Sequence, residues 1–281
     1  MQTNTPSRSS IRLTRRGRLA LAALGAVVAG TAVAVPLLIM GGDDEPRPTA
    51  LVVPQGWRAS QVYDAIDKTL DLPAGTTKKS LAKADLKLPN EAQGNPEGYL
   101  FPATYPLREK ATPQELLSRM VDTANKKFNG APIAAGAQRN AMNVYQAVTV
   151  ASIVQAEATG KADMGKVARV IFNRLERGMP LQMDSTVDYA LGRSAPSATA
   201  ADPEVDSPYN SYRRMGLPPT PIDNPGVDAV RAAISPTPGD WLYFVTVKPG
   251  DTRFTAELAE HQRNVAESDE LRKKAAEPSA K

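Results

Sequence analysis

The first strong pattern along the chain is an unbroken apolar run. Leu19 to Met40 is 22 residues without a charge, long enough to cross a bilayer as a helix. Arg8, Arg12, Arg15, Arg16 and Arg18 precede it, and Asp43, Asp44 and Glu45 follow it. That order of charge predicts a transmembrane helix over 19–40 with a basic cytoplasmic tail over 1–18. Ala32-Val33-Ala34 resembles a signal cleavage site, but the run exceeds a usual signal core, so an uncleaved anchor is the reading. The expectation is a single-pass protein of the cell membrane whose C-terminal part is extracytoplasmic.

The remainder is built from short periodic segments. Residues 41–50 are polar with two prolines and read as a linker. Leu51-Val52-Val53-Pro54-Gln55-Gly56 predicts a strand running into a turn. Ser60 is placed to cap a helix with Val62, Ile66 and Leu70 on one face, ended by Pro73 and Gly75. Residues 51–105 therefore read as a small α/β unit. Thr112-Pro113 opens a helix whose core face is Leu116, Leu117, Met120, Val121 and Phe128, and Asn129 to Pro132 breaks it. A helix ending at Glu157 follows, stopped by Thr159-Gly160. The next has Asp163 as its cap, Val167, Val170, Ile171 and Leu175 as its core face, and Gly178 as its stop.

Residues 192–225 are rich in Pro, Ser, Ala and Asp and carry no period, the mark of a long loop. Asn224-Pro225 opens another helix with Val230 and Ile234. Trp241 to Val247 is a strand by its aromatic and β-branched content, and a last helix runs from about Thr255 through His261. From Glu267 the tail is charged and rich in small residues, and disorder is expected over 267–281. The fold class is thus α+β, with a mixed domain over 106–266.

Composition narrows the chemistry. There is no cysteine, which excludes disulfides, a thiol nucleophile and a lipidated cysteine. A single histidine, His261, excludes His-rich metal sites and leaves one candidate for any Ser-His-Asp triad. No phosphate-binding glycine loop is present, and neither a cofactor nor a metal is implied. Net charge is +4, but its excess sits in the first eighteen residues, so a nucleic-acid footprint is not supported. Carboxylates and hydroxyls are left to carry any catalysis.

Among the carboxylates, Glu157 stands out. It closes the nearly chargeless run from Ala147, and Val150, Ile153 and Val154 fall at i−7, i−4 and i−3 on its own helical face. A carboxyl continuing an apolar stripe is costly to ionise, and an acid that stays protonated is what general-acid catalysis needs. The competing reading is a helix-end Glu whose head reaches water. The stripe alone leaves both open.

Further segments, taken in order, resemble one family. They are Val53-Pro54-Gln55-Gly56, Glu97 to Tyr105, Ala151 to Glu157, Phe172-Asn173-Arg174-Leu175 and Gly178 to Thr186. Tyr209-Asn210-Ser211-Tyr212, Gly216 to Ile222, Asn224-Pro225-Gly226 and Leu242 to Val245 complete the series. With the N-terminal span, this series resembles the endolytic murein transglycosylases of the YceG-like (MltG) type. The resemblance implies a membrane-anchored enzyme with a LysM-like unit over 51–105 before a YceG-like catalytic domain. Its target would be nascent peptidoglycan glycan strands, cut at the MurNAc–GlcNAc bond to leave a 1,6-anhydro end. Peptidoglycan synthases of the elongation machinery are the implied partners. Glu157 falls on the family's catalytic glutamate. Many relatives carry a second Glu two residues earlier, where this chain has Gln155, which leaves Glu157 as the only carboxylate in the segment.

One carboxyl suffices for such a reaction, because it can protonate the bridging oxygen and then take a proton from the sugar's own 6-hydroxyl. Gln182, Asp184, Thr186, Tyr209, Asn210 and Tyr212 are the candidate sugar-binding groups. Several have a plainer reading: Asp184-Ser185-Thr186 as a helix cap, the tyrosines as loop packing. Glu97 is either a second carboxylate or a structural ion-pair partner. Two other functions compete, a muramidase using Asp184 or Glu97 to activate water, and a non-catalytic wall-binding scaffold.

Overall fold

The structure is a computed structural model that describes residues 49–193 and 204–276. The expected basic tail, membrane helix and most of the linker lie outside these residues. Among the described residues no helix is long and apolar enough to cross a membrane.

Strand β1 (Ala50–Val52) pairs antiparallel with β2 (Thr104–Pro106), with Leu51 opposite Tyr105. Between them lie α1 (Ala59–Thr69) and the short α2 (Thr76–Ser80). Next come α3 (Pro113–Phe128), α4 (Ala131–Arg139), α5 (Val144–Glu157), α6 (Lys161–Glu176) and α7 (Asp184–Ala190). After the loop, α8 (Val227–Ile234) leads into an antiparallel hairpin of β3 (Tyr243–Lys248) and β4 (Asp251–Thr255), and α9 (Leu258–Ala276) closes the described chain.

Helix α5 is the centre. Tyr145 and every residue from Ala147 to Val154 are buried, the condition of a helix surrounded by others rather than lying on a surface. Its Thr149 and Ser152 hydroxyls are satisfied locally: Thr149 donates to the Tyr145 carbonyl and Ser152 to the Thr149 carbonyl. Ser152 Oγ also accepts the Ile222 N–H at 3.0 Å, which ties the long loop to the core. The apolar core runs without a break from Leu51, Val62, Ile66 and Leu100 to Ile153, Ile171 and Val230, so residues 51–106 share one core with the rest.

Several boundaries differ from expectation. Arg58, not Ser60, is the cap position of α1; its N–H is accepted by the Gln61 side chain. Asp163 lies in the first turn of α6 after Gly160 and accepts the Thr159 hydroxyl. Helix α4 follows the Asn129–Gly130 break at once, where the sequence suggested only an interruption. The segment from Glu267, expected to be disordered, continues α9 to Ala276. It is held there because Glu267 receives two bonds from Arg253 and Ser268 donates to the Thr246 carbonyl on β3. Thr112 and Gly178 act as read. Thr112 caps α3, and Gly178, at φ +62°, closes α6 through Gly178 N–H to Leu175 O and Met179 N–H to Arg174 O.

Candidate active site

Glu157 is the last residue of α5, where the buried helix runs out. The residue as a whole is half-buried. Burial is the largest influence on its carboxyl and raises the pKa, Asp184 and Asp188 raise it further, and two hydrogen bonds from Ser185 oppose them. Both bonds go to one oxygen: Oε1 accepts the Ser185 hydroxyl at 2.6 Å and the Ser185 N–H at 3.2 Å. Among the described residues, Oε2 takes no hydrogen bond. A proton on this carboxyl therefore belongs on Oε2, because Oε1 is already engaged as an acceptor.

The segment that delivers Ser185 is irregular, and Arg174 organises it. The buried guanidinium donates to the carbonyls of Pro180, Leu181 and Leu242 and to Gln182 Oε1. Burial lowers its pKa. Ser211 completes the frame: its carbonyl accepts the Gln182 N–H at 3.1 Å and its Oγ the Met183 N–H at 2.9 Å. Helix α7 starts from there, with Asp184 first and Ser185 second.

The candidate sugar-binding residues divide. Gln182 and Asp184 are exposed, and Tyr212 is half-buried with its hydroxyl on Asp184 Oδ1. These three gather at the start of α7 beside Ser185. Thr186 and Asn210 are fully buried and do not face a substrate. The Thr186 hydroxyl donates to the Met183 carbonyl and pairs with Ser211, while the Asn210 amide donates to the Val205 carbonyl and accepts the Tyr212 N–H. Both hold loop shape. Tyr209 packs its ring on Tyr189 at 4.8 Å and pairs its hydroxyl with Thr220. His261 stacks on Tyr243 at 5.1 Å with Nδ1 buried, and among the described residues that nitrogen has no partner and no triad forms around it. Ser185 and Arg174 were not singled out from sequence, although both lay inside quoted motifs.

A second polar cluster lies behind α7. Glu97 is buried; its Oε1 accepts the Ala59 N–H at 2.9 Å and the Asn224 amide at 3.3 Å, and its Oε2 accepts the Tyr189 hydroxyl at 3.1 Å. Burial pushes this carboxyl up to about 7, against those bonds and the Arg58 charge. Arg58 donates to the Asp188 carbonyl at 3.3 Å and sits 5.0 Å over the Tyr189 ring. Asp223 shares the cluster, buried with Oδ1 unpartnered, its pKa driven well up by burial and by Glu97. Glu97 is thus buried and held by hydrogen bonds rather than by a close ion pair, although the Arg58 charge acts on it. Among the described residues no cluster of His, Cys, Asp and Glu has the makings of a metal site.

The chain is similar to known proteins over most of its length. The model of the YceG-like family matches residues 31–267. An endolytic murein transglycosylase of Bacillus subtilis strain 168 is 40% identical over 168 residues, covering 59% of this chain and 46% of that protein. Its counterpart in Streptococcus pneumoniae D39 is 33% identical over 261 residues, covering 81% and 46%. The chain thus spans about half the length of these relatives. The crystal structure of a YceG-like protein from Listeria monocytogenes superposes with a TM-score of 0.66 at 32% identity, over 77% of this chain and 75% of that one. With a family match over nearly the whole folded region and the Glu157 segment in place, the chain belongs to the YceG-like family.

Proposed function

We propose that the protein is an endolytic lytic transglycosylase of peptidoglycan, cutting the MurNAc–GlcNAc bond of nascent glycan strands and ending them in 1,6-anhydro-MurNAc. The observation that carries this is the state of Glu157: a carboxyl of raised pKa with one oxygen held by Ser185 and the other free of protein bonds. Oε2–H gives its proton to the bridging oxygen as the C1–O bond breaks. The resulting carboxylate, stabilised at Oε1 by both Ser185 bonds, then takes the proton of the same sugar's 6-hydroxyl as O6 bonds to C1. No water is consumed, and Glu157 ends protonated as it began. In this reading Gln182, Asp184 and Tyr212, gathered beside Ser185, bind the sugars.

The anchor over 19–40, the extracytoplasmic placement, the LysM-like reading of residues 51–105 and synthases as partners belong to the same proposal. The strand–helix–helix–strand order of 50–106 supports the LysM-like part, and the relatives' names support the substrate. A muramidase needs a second carboxylate to activate water; Glu97 has both oxygens engaged inside the protein, which leaves exposed Asp184, whose Oδ1 accepts the Tyr212 hydroxyl, as the carboxylate of that alternative. Mass analysis of products from purified glycan strands tests the proposal. Wild type should release anhydro ends, and Glu157→Gln, still folded, should release none. A product heavier by one water overturns it in favour of hydrolysis, and sacculus binding without cleavage favours a scaffold.

A further inference from the structure

We propose that Glu97 and Arg58 are positioning residues for the reaction: together they grip α7 and so set Ser185 against Glu157. The inference rests on the transglycosylase reading, and it makes the N-terminal α/β segment part of the active-site frame. Ser185 and Tyr189 are four residues apart on α7 and share one face of it. At one end of that face Ser185 bonds Glu157 through two donors. At the other the Tyr189 hydroxyl bonds Glu97 Oε2 at 3.1 Å. One short helix thus spans the gap between two buried-side carboxyls, with the catalytic one at its start.

Helix α7 has seven residues, too few to hold its own place, since isolated helices of that length are unstable in water. Its restraints come from outside. Arg58 donates to the Asp188 carbonyl in the last turn, where a cation is favourable against the helix dipole, and lies over the Tyr189 ring. Glu97 is itself fixed by the Ala59 N–H at the head of α1 and by the Asn224 amide, which also donates to the Trp57 carbonyl. The grip therefore passes from the β1–α1 connection, through Glu97, to α7 and then to Glu157. Its loosening would weaken the two Ser185 bonds that stabilise the Glu157 carboxylate. The charged and titratable groups then left facing Glu157 are Asp184 and Asp188 of α7 and Tyr212 of the loop.

Tyr189→Phe tests this in the full chain, because it removes one hydroxyl and leaves the ring for Arg58 and Tyr209. With uncross-linked glycan strands as substrate, kcat should fall on the order of tenfold while KM changes less than twofold. The alkaline limb of the kcat–pH profile should move to higher pH, since the Glu157 proton is then held more tightly. Glu97→Ala should behave the same way. Glu97→Gln, whose amide can donate to the Tyr189 oxygen, should keep at least half of wild-type kcat. The idea is overturned by a Tyr189→Phe protein with wild-type kcat and an unmoved limb. It is equally overturned if the lost activity only follows the folded fraction measured by circular dichroism. Absence of anhydro product from wild type would instead strike the transglycosylase reading beneath it.

Discussion

Burying Glu97 should make the fold's stability fall as pH rises toward neutrality, and Glu97→Gln should reduce that dependence. The carboxyl is taken from an ordinary 4.5 to about 7, mainly by desolvation. At about 1.4 kcal/mol per unit, that shift corresponds to about 3 kcal/mol. The sign follows from the proton count. A folded pKa above the unfolded one means the folded state holds the proton longer. The contribution is therefore complete below about 4.5 and is lost as pH rises through about 7. The groups facing Glu97 are Arg58, Tyr189, Asn224, Tyr63 and Asp223. Asp223 is shifted in the same direction and adds to the slope, whereas the tyrosines are driven above their usual range and stay protonated throughout.

Urea unfolding of the full chain, followed by fluorescence of Trp57 and Trp241 at half-unit steps from pH 4.5 to 8, measures the effect. Wild type should lose about 3 kcal/mol or more across that window. Glu97→Gln should lose less by roughly the contribution of one carboxyl, so that the two curves approach or cross near neutrality. Gln keeps the size of the side chain and an oxygen for the Ala59 N–H, so cavity formation does not confuse the comparison. Parallel curves would refute the reasoning, because they would mean that the buried carboxyl takes up no extra proton in the folded state.

Ser185→Ala should lower kcat by one to two orders of magnitude with a smaller change in KM, because the hydroxyl stabilises Glu157 as a carboxylate; steady-state kinetics of anhydro-end release checks it. Gly98→Ala should destabilise by about 2–5 kcal/mol, read as a lowered thermal midpoint, since φ there is +84° and a Cβ would lie 2.5 Å from Pro221 Cγ. Thr112→Ala should cost about 1 kcal/mol of stability with no change in activity, because it removes only an exposed cap from the Glu115 N–H.

Local pattern carried much of this fold. The core face of α3, from Leu116 to Phe128, and the end of α6 at Gly178 were legible because periodicity and helix-stop chemistry act over a few residues. What escaped was non-local. Ser185 meets Glu157 across 28 positions and Tyr189 meets Glu97 across 92, and no window of sequence registers such a meeting. Thr186 and Asn210 misled for a related reason. Their types suit sugar binding, but the same hydroxyl and amide also close buried loops, and only burial separates the two uses. The α9 tail was misjudged because charge suggested solvation, whereas Glu267 spends its charge on Arg253 of β4.

Gln155 shows how the two levels join. On sequence it mattered because, as an amide, it leaves Glu157 the only carboxylate of its segment. In the fold its Oε1 accepts the Gly226 N–H at 3.0 Å, at the head of α8. Residues two apart on a helix do not share a face, so Gln155 and Glu157 serve different neighbours. Gln155 faces the loop that carries Asp223 and Asn224, and Glu157 faces Ser185 on α7. The end of α5 thus supplies structural support through one side chain and, in the proposed reaction, the acid through the other. The same loop and α7 both reach Glu97, so in the proposed frame the acid's geometry depends on a residue far from it in sequence.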